Sequence, residues 1–131
     1  AGGALRRSAR FSLSYKMEFV KVYIALPITS RPEPILSERL SNAFARSEEL
    51  RRMVYGMYEQ RKVHLFITTP FDIAPVGTEK TEAQIMSECV KTVIEADVCV
   101  FDKDWRTSKG CRVEHTVASL YGNKIIDLSK Q

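Results

Sequence analysis

The sequence has little of what builds a metal site or a disulfide framework. Its three cysteines are an odd number without CxxC spacing, and only two histidines accompany them in 131 residues. Structural zinc sites use four Cys or His ligands at short spacings, so we expect no metal and no other cofactor. Unpaired thiols are typical of a reducing compartment, which predicts a cytoplasmic protein.

Long apolar runs are also absent. No stretch approaches the roughly 20 apolar residues of a membrane span, and the N-terminus lacks the apolar block of a signal peptide. We therefore expect no membrane partner. With 131 residues, 44% of them hydrophobic, the chain has the size of one domain and enough apolar side chains for a core.

Acidic residues are missing from residues 1–16. This segment contains four basic residues, Arg6, Arg7, Arg10 and Lys16. The chain has 20 basic and 16 acidic residues, so these four account for the net charge of +4 and residues 17–131 are neutral overall. We interpret residues 1–16 as a disordered or added basic leader, with the native start at Met17. A basic arm that binds phosphates is the alternative, but the neutral domain predicts no nucleic-acid partner.

The hydrophobic pattern alternates between strands and helices. Runs of β-branched and aromatic residues predict strands over 19–28, 62–70, 97–101 and 124–128. Helical spacing predicts helices within 34–60, 81–94 and 108–121, and residues 71–80 are a predicted loop. The first helix begins at Ser37, or has Pro34 in its first turn. Thr81 and Gln84 match a capping box before the second helix.

This order of elements predicts a single α/β domain over residues 17–131. The expected architecture is a Rossmann-like, doubly wound parallel sheet of four or five strands in the order 2-1-3-4, with right-handed crossovers. Ligands of such sheets bind beyond the carboxyl ends of the strands, where the strand order reverses. The segments "LPITSR" (26–31) and "DKDWRTSKG" (102–110) are expected on opposite sides of that crevice.

Glu114 is the main candidate for chemistry in this crevice. Helical side chains tilt toward the N-terminus, which places Glu114 over the turn that contains Gly110, where the missing side chain leaves space for a ligand. Ser108 and Lys109 at the helix N-terminus suit a phosphate group. A carboxylate so placed is suited to attack a phosphorylated sugar. The alternatives are a surface charge at Glu114 and a glycine that eases helix–strand packing.

Three segments carry a resemblance to a known superfamily: "VYIALPI" in strand 1, "IMSECVKTVIEADVCVF" in the second helix and third strand, and "DWRTSKGCRVEHTVASLYG" in the last helix. The last is similar to a D-W-x-x-S-x-G-x-x-x-E-H pattern. Over residues 20–128 the chain resembles the nucleoside 2-deoxyribosyltransferase-like superfamily. That group includes deoxyribosyltransferases, N-glycosidases of nucleoside 5'-monophosphates and small uncharacterised bacterial and phage proteins.

The resemblance implies a retaining cleavage of the base–sugar bond in a nucleoside 5'-monophosphate or nucleoside. Glu114 matches the glutamate that attacks the anomeric carbon, so a glycosyl-Glu114 ester forms and is then resolved by water or another base. Tyr23 matches the tyrosine that orients this nucleophile; the alternative is a tyrosine packed in the core. Ser108 matches a phosphate-binding serine of the monophosphate hydrolases, with a helix N-cap as the alternative.

Further binding residues follow from the resemblance and from position. The turn after strand 1 matches a segment that contacts the phosphate or the base in the family: Thr29, Ser30 and Arg31. Phe71 and Asp72, in the predicted loop, are candidates for a lid or a base-specificity loop. Trp105 is expected either to stack on a base or to cover an interface. The resemblance also implies a homo-oligomer, a dimer or larger.

The chain departs from the superfamily at Cys89. The family's enzymes have an aspartate there, eight residues before Asp97, which protonates the leaving base or positions the sugar. A thiol is a poor replacement, and losing one such proton transfer typically costs about 10²- to 10⁴-fold in rate. Asp102 and Asp104, at the crevice end of strand 3, are candidates to supply this function. Otherwise the protein is a weakened enzyme, a nucleotide-binding or sensor module, or an oligomerisation module with a degenerate crevice.

Overall fold

The computed structural model describes residues 18–130, which form a parallel sheet with helices on both faces. The strands are β1 (Glu18–Ala25), β2 (Val63–Thr68), β3 (Val98–Phe101) and β4 (Lys124–Asp127). The helices are α1 (Leu36–Tyr58), α2 (Pro70–Ile73), α3 (Glu82–Glu95) and α4 (Lys109–Leu120), with 3₁₀ turns at Trp105–Thr107 and Leu128–Lys130. The predicted leader, residues 1–16, and the proposed start at Met17 lie outside the described residues.

The strand order is the predicted one. The sheet has four strands in the order β2-β1-β3-β4, and every neighbouring pair is parallel. The chain is therefore an α/β, Rossmann-like doubly wound domain in which strand order reverses between β1 and β3. Tyr23 on β1 is paired in register with Thr68 on β2 and with Cys99 on β3. None of the helices between residues 18 and 130 combines the length and the apolar character that a membrane span needs.

Two hydrophobic cores form, one on each face of the sheet. Successive strand residues point to opposite faces, so Val22 and Ile24 of β1 enter the core under α1, where Leu50 is 1% exposed. Tyr23 enters the second core, which α3 and α4 cover and which also contains Cys99, Phe101, Val93 and Ala118. The alternation of β1 thus places Tyr23 directly under the two helices that carry Cys89 and Glu114.

The helix ends differ from the sequence prediction at two places. Helix α1 begins at Leu36, with Ile35 as an N-cap that makes no side-chain cap bond, so both predicted starts were wrong by one or two residues. The start of the predicted 71–80 loop is the short helix α2. The capping box before α3 is confirmed: the Gln84 backbone N donates to Thr81 Oγ1 at 3.1 Å, and Thr81 N donates to Gln84 Oε1 at 2.8 Å.

Candidate functional site

A buried hydrogen bond joins strand β1 to helix α4. Tyr23 Oη donates to Glu114 Oε2 at 3.0 Å. Tyr23 is 0% exposed and Glu114 is 4% exposed, so the carboxyl group lies inside the molecule. This contradicts the alternative of a surface charge at Glu114. The strand and helix patterns predicted from the sequence bring together the two residues that the resemblance pairs as orienting tyrosine and nucleophile.

Burial sets the protonation of this pair. Loss of water contact raises the pKa of Glu114 to about 7, although hydrogen bonds from Tyr23 and Cys89 act in the lowering direction. Burial and the neighbouring Glu114 charge raise the pKa of Tyr23 well above its ordinary value, so Tyr23 remains a neutral donor. A carboxyl group with a pKa near neutrality, held by a fixed donor, has the properties of a catalytic acid, base or nucleophile.

Cys89 completes the immediate surroundings of this pair. The thiol is 3% exposed and interacts with both Tyr23 and Glu114. Burial first, and then the Glu114 charge, raise the pKa of Cys89 to about 12, so it stays protonated. Cys99 and Cys111 are likewise buried and free, each with a pKa raised to about 12. Within residues 18–130, no group of three or more His, Cys, Asp and Glu side chains is arranged to hold a metal ion.

The two aspartates after β3 have different surroundings. Asp102 is 1% exposed, and Arg46 on α1 donates to its two oxygens at 2.8 to 3.2 Å. Lys103 N adds a further bond to Asp102 Oδ1 at 2.8 Å. This carboxylate is already fully bonded, which favours a structural role. Asp104 is half-buried, and its Oδ1 has no hydrogen-bond partner in the part of the chain described.

The start of helix α4 combines a capped terminus with a shallow space. Ser108 Oγ accepts a hydrogen bond from Cys111 N at 3.2 Å, which makes Ser108 the N-cap. The Ser108 hydroxyl also interacts with the buried thiol of Cys111. A Cβ atom at Gly110 would lie 3.8 Å from Ser108 Oγ and 4.0 Å from the Met86 side chain, which is ordinary contact. The space left by Gly110 is therefore about one methyl group deep. Lys109 is exposed beside it.

The turn after β1 offers one unused donor. Thr29 and Ser30 are exposed, whereas Arg31 is partly buried. Arg31 Nε donates to the Pro27 carbonyl at 3.1 Å, but its buried Nη2 has no partner among residues 18–130. Because this turn follows the carboxyl end of β1, Arg31 lies at the edge of the sheet where the crevice was predicted.

Trp105 is not placed to stack on a base. Its side chain is 6% exposed, and its Nε1 donates to Asp127 Oδ1 at 3.0 Å. The indole stacks on the His115 ring, with 4.2 Å between centroids and 8° between planes. The guanidinium group of Arg106 lies over the Trp105 ring as well, at 4.4 Å from its centroid. Trp105 thus connects α4 to the β4 end of the sheet as a core side chain.

Phe71 and Asp72 belong to the fold rather than to a lid. Phe71 is 8% exposed and packs edge-on against Phe44 at 5.4 Å. Asp72 Oδ2 accepts from Thr69 N at 2.8 Å and from Arg51 at 3.1 Å. The capping box of Thr69 and Asp72 begins helix α2, so Phe71 and Asp72 both have structural roles.

Sequence reasoning missed Arg46, the partner of Asp102. The sequence contains one signal for it, since a carboxylate at the end of a buried strand requires a cation. It does not say which of the arginines on α1 provides that cation. A groove of about 690 Å³ lies elsewhere, between α1 and β2, and another of about 400 Å³ lies beside Lys80 and Glu88 of α3. Glu114 lines neither of these grooves.

The chain was compared with known proteins. No curated protein matches it. A family model described as a domain of unknown function, DUF4406, matches residues 20–127, which include most of β1, the aspartates after β3, Cys89 and Glu114. Because the match spans nearly the whole of the sheet and its helices, the chain belongs to the DUF4406 family.

Proposed function

We propose that this protein cleaves the N-glycosidic bond of a nucleoside 5'-monophosphate, or of a nucleoside, with retention of configuration. The observation that carries the proposal is the buried Tyr23–Glu114 hydrogen bond of 3.0 Å. Tyr23 and Glu114 are the positions that match the orienting tyrosine and the nucleophile of the nucleoside 2-deoxyribosyltransferase-like superfamily. The raised pKa of Glu114, about 7, adds support because active sites often contain such perturbed groups.

The reaction has two steps. The ionised Glu114 oxygen attacks the anomeric carbon, the bond from that carbon to the base nitrogen breaks, and the base leaves with its bonding electrons and takes up a proton. A water molecule, or a second base in a transfer reaction, then loses a proton to the group that protonated the leaving base, attacks the same carbon and releases the Glu114 carboxylate. Tyr23 fixes the carboxylate oxygen in position throughout. Asp104, whose Oδ1 has no hydrogen-bond partner among residues 18–130, is the candidate to exchange a proton with the leaving base.

The phosphate would be bound by groups at both ends of the crevice. The N-terminus of α4 supplies backbone N–H groups and a favourable dipole, with the Ser108 hydroxyl and the exposed Lys109 beside it. Arg31 supplies its unpaired Nη2 from the turn after β1. These donors favour a 5'-monophosphate over an uncharged nucleoside.

A second candidate function is a nucleotide-binding or sensor module without turnover. The observation that favours it is Cys89, which stands where the superfamily's enzymes carry an aspartate and whose pKa of about 12 makes it a poor proton donor. The 4% exposure of Glu114 points the same way, because a substrate sugar must reach that carboxylate. We further propose a cytoplasmic location, since the three buried thiols are free.

The experiment is release of free base from a panel of ribo- and deoxyribonucleoside 5'-monophosphates and nucleosides, followed by chromatography. Glu114→Ala is expected to abolish release, whereas Glu88→Ala, an exposed glutamate of α3 paired with Lys80, leaves it unchanged. Full activity of Glu114→Ala would refute the proposal. Thermal stabilisation of the wild-type chain by a monophosphate, without base release from any substrate, would select the binding module instead.

The pH profile gives a second readout. The attacking form of Glu114 is the ionised one, so kcat/KM rises with pH through about 7. Tyr23 lowers the pKa of Glu114 by donating to its charged form. Tyr23→Phe is therefore expected to move the rise to higher pH as well as to slow the reaction. A slower variant with an unmoved profile would contradict the role of Tyr23 as the positioning donor.

A further inference from the structure

Helices α3 and α4 both begin at the carboxyl edge of the sheet, where the crevice lies. Each connects the end of one parallel strand to the start of another, α3 from β2 to β3 and α4 from β3 to β4. The two helices pack against each other and run in the same direction over the second core. Cys89 of α3 and Glu114 of α4 interact across this contact and are 3% and 4% exposed. They form a buried layer below the crevice.

A second layer lies one helical turn nearer the crevice. Met86 precedes Cys89 by three residues and Gly110 precedes Glu114 by four, so each shares the helix face of the buried residue below it. A Cβ atom at Gly110 would lie 4.0 Å from both Sδ and Cε of Met86. The thioether end of Met86 therefore lies opposite Gly110, and the two residues form a Met86–Gly110 layer over Cys89 and Glu114.

The Met86–Gly110 layer separates the buried carboxyl group from the N-terminus of α4. Ser108 Oγ lies 3.8 Å from the same Cβ position at Gly110. Ser108 is about 9 Å from Glu114 along the helix axis, at about 1.5 Å per residue. Met86 and Gly110 are half-buried, so this layer meets the solvent. A ligand whose phosphate lies at Ser108 must therefore pass between Met86 and Gly110 to reach Glu114.

Methionine and glycine are suited to a passage that opens. Met86 has an unbranched side chain with three rotatable bonds, which changes conformation more easily than a β-branched side chain does. Gly110 has no positive φ, unlike Gly77 and Gly122, and a Cβ atom there would make only ordinary contacts. Neither the backbone nor the packing of the free protein thus requires glycine at this position, although alanine is the better helix former. The missing side chain leaves width for a ligand.

We propose that Met86 is a gate for the Glu114 site: its side chain closes the passage between α3 and α4, and a substrate sugar reaches Glu114 only after this side chain has moved aside. The identity of the substrate rests on the proposed function, whereas the closure is a property of the free protein. Moving Met86 costs the same free energy for a monophosphate and for a nucleoside. The gate therefore lowers kcat/KM for both by the same factor, the fraction of molecules that are open.

The closure is tested on the free protein through the pKa of Glu114. Met86→Ala removes the thioether and lets water reach the carboxyl group, which stabilises its charged form. The pKa of Glu114 is therefore expected to fall from about 7 to about 6 or below. Carbon-13 NMR of the glutamate carboxyl carbons over a pH series measures this change in the full chain, and the signal that disappears in Glu114→Gln identifies Glu114.

The titratable groups that interact with Glu114 stay neutral over this pH range, because the pKa of each is raised. They come from β1, α3, β3 and α4 itself: Tyr23, Cys89, Cys99 and Cys111. A change in the pKa of Glu114 in Met86→Ala thus reports the access of water to the carboxyl group rather than the appearance of a new charge beside it.

Two variants control for packing. Met86→Leu keeps a side chain of similar volume at the passage and is expected to leave the pKa of Glu114 near 7. Met53→Ala makes the same substitution at another half-buried methionine, which packs against the core under α1 on the opposite face of the sheet. It is expected to lower the stability of the chain without changing the pKa of Glu114.

The kinetics of base release test the gate in the proposed reaction. In Met86→Ala, kcat/KM is expected to rise at least about threefold for a nucleoside 5'-monophosphate and for the corresponding nucleoside, with the ratio between the two unchanged. Gly110→Ala adds a methyl group to the passage from the other side. It is expected to lower kcat/KM for both substrates while the thermal stability is retained or increased.

The gate and the proposed reaction fail in different ways. A pKa of Glu114 that stays near 7 in Met86→Ala, or that falls equally in Met53→Ala, would overturn the gate even if the wild-type chain releases base. Base release by Met86→Ala with an unchanged kcat/KM would also count against it. A lowered pKa in Met86→Ala alone, without base release by the wild-type chain or any variant, would support the gate and refute the proposed reaction.

Discussion

At the scale of single residues, the burial of Glu114 has a consequence for stability that is independent of any reaction. Its pKa in the folded chain is raised to about 7, against the ordinary 4.5. Between these two values the unfolded chain has lost the proton that the folded chain retains. The stabilising contribution is therefore complete below pH 4.5 and is lost as the pH rises through about 7.

This linkage predicts the behaviour of Glu114→Gln. The difference in pKa corresponds to a free energy on the order of 3 kcal/mol. The amide cannot ionise and still accepts from Tyr23, so at pH 8 the variant is expected to be more stable than the wild-type chain by up to about 3 kcal/mol, with the difference disappearing near pH 4. Urea unfolding at a series of pH values measures this.

The control for this prediction is Glu79→Gln, which replaces an exposed glutamate in the loop before α3. Its stability curve is expected to follow that of the wild-type chain at every pH. If Glu114→Gln and the wild-type chain also changed in parallel from pH 4 to pH 8, the buried carboxyl group would not titrate in this range, and the pH profile proposed for the reaction would lose its basis.

At the scale of the elements, Ser108 has one observed role and one proposed role. As the N-cap of α4 it accepts from Cys111 N, and replacing such a cap by alanine costs about 1 kcal/mol. Ser108→Ala is therefore expected to lower the free energy of unfolding by about this amount. A weaker substrate binding by Ser108→Ala would not distinguish the loss of the helix cap from the loss of a phosphate contact.

Ser108→Asp separates the two roles. Aspartate caps a helix as well as serine does, so the variant is expected to retain wild-type stability. Its negative charge repels a 5'-phosphate, which raises KM for a monophosphate at least about tenfold while KM for the corresponding nucleoside changes little. Equal KM changes for both substrates would indicate that Ser108 is only a cap.

The sequence predicted long, periodic elements better than short ones. Helices α3 and α4 were found from their apolar stripes and capping residues, because each buries one face over three or more turns. The four-residue helix α2 has no such stripe, and only the Thr69-Pro70-Phe71-Asp72 pattern of a capping box with an N-terminal proline indicated it. Because this signal is short, the sequence predicts a loop there, with Phe71 and Asp72 as candidates for a lid or a base-specificity loop.

At the scale of the whole molecule, topology was predictable because few arrangements satisfy right-handed crossovers and short connections. The alternation of side chains along β1 and the packing of α4 on the sheet place Tyr23 next to Glu114. Long-range polar pairs were not predictable: Arg46 and Asp102 are 56 residues apart, and local patterns say nothing about which distant cation meets a buried carboxylate. The sequence predicts that Trp105 stacks on a base or covers an interface. Its contacts with Asp127 and His115 depend on tertiary packing, so the sequence pattern does not indicate them.

The shared sheet couples the two cores, which predicts one cooperative unfolding transition. Leu50, 1% exposed, lies in the core under α1, whereas Trp105, the only tryptophan, lies in the core under α3 and α4. Leu50→Ala is expected to cost about 2–5 kcal/mol. Because β1 contributes to both cores, the midpoint of urea unfolding should fall equally by Trp105 fluorescence and by far-ultraviolet circular dichroism.

Leu120→Ala is the matched control for Leu50→Ala, because the same substitution at a 79% exposed site is expected to change stability by no more than about 0.5 kcal/mol. A fluorescence midpoint that stayed in place while the circular dichroism midpoint fell would show that the α1 side unfolds separately. The Tyr23–Glu114 pair would then depend only on the α3 and α4 core. A common shift would instead mean that substitutions under α1 also change the population of molecules in which this pair is formed.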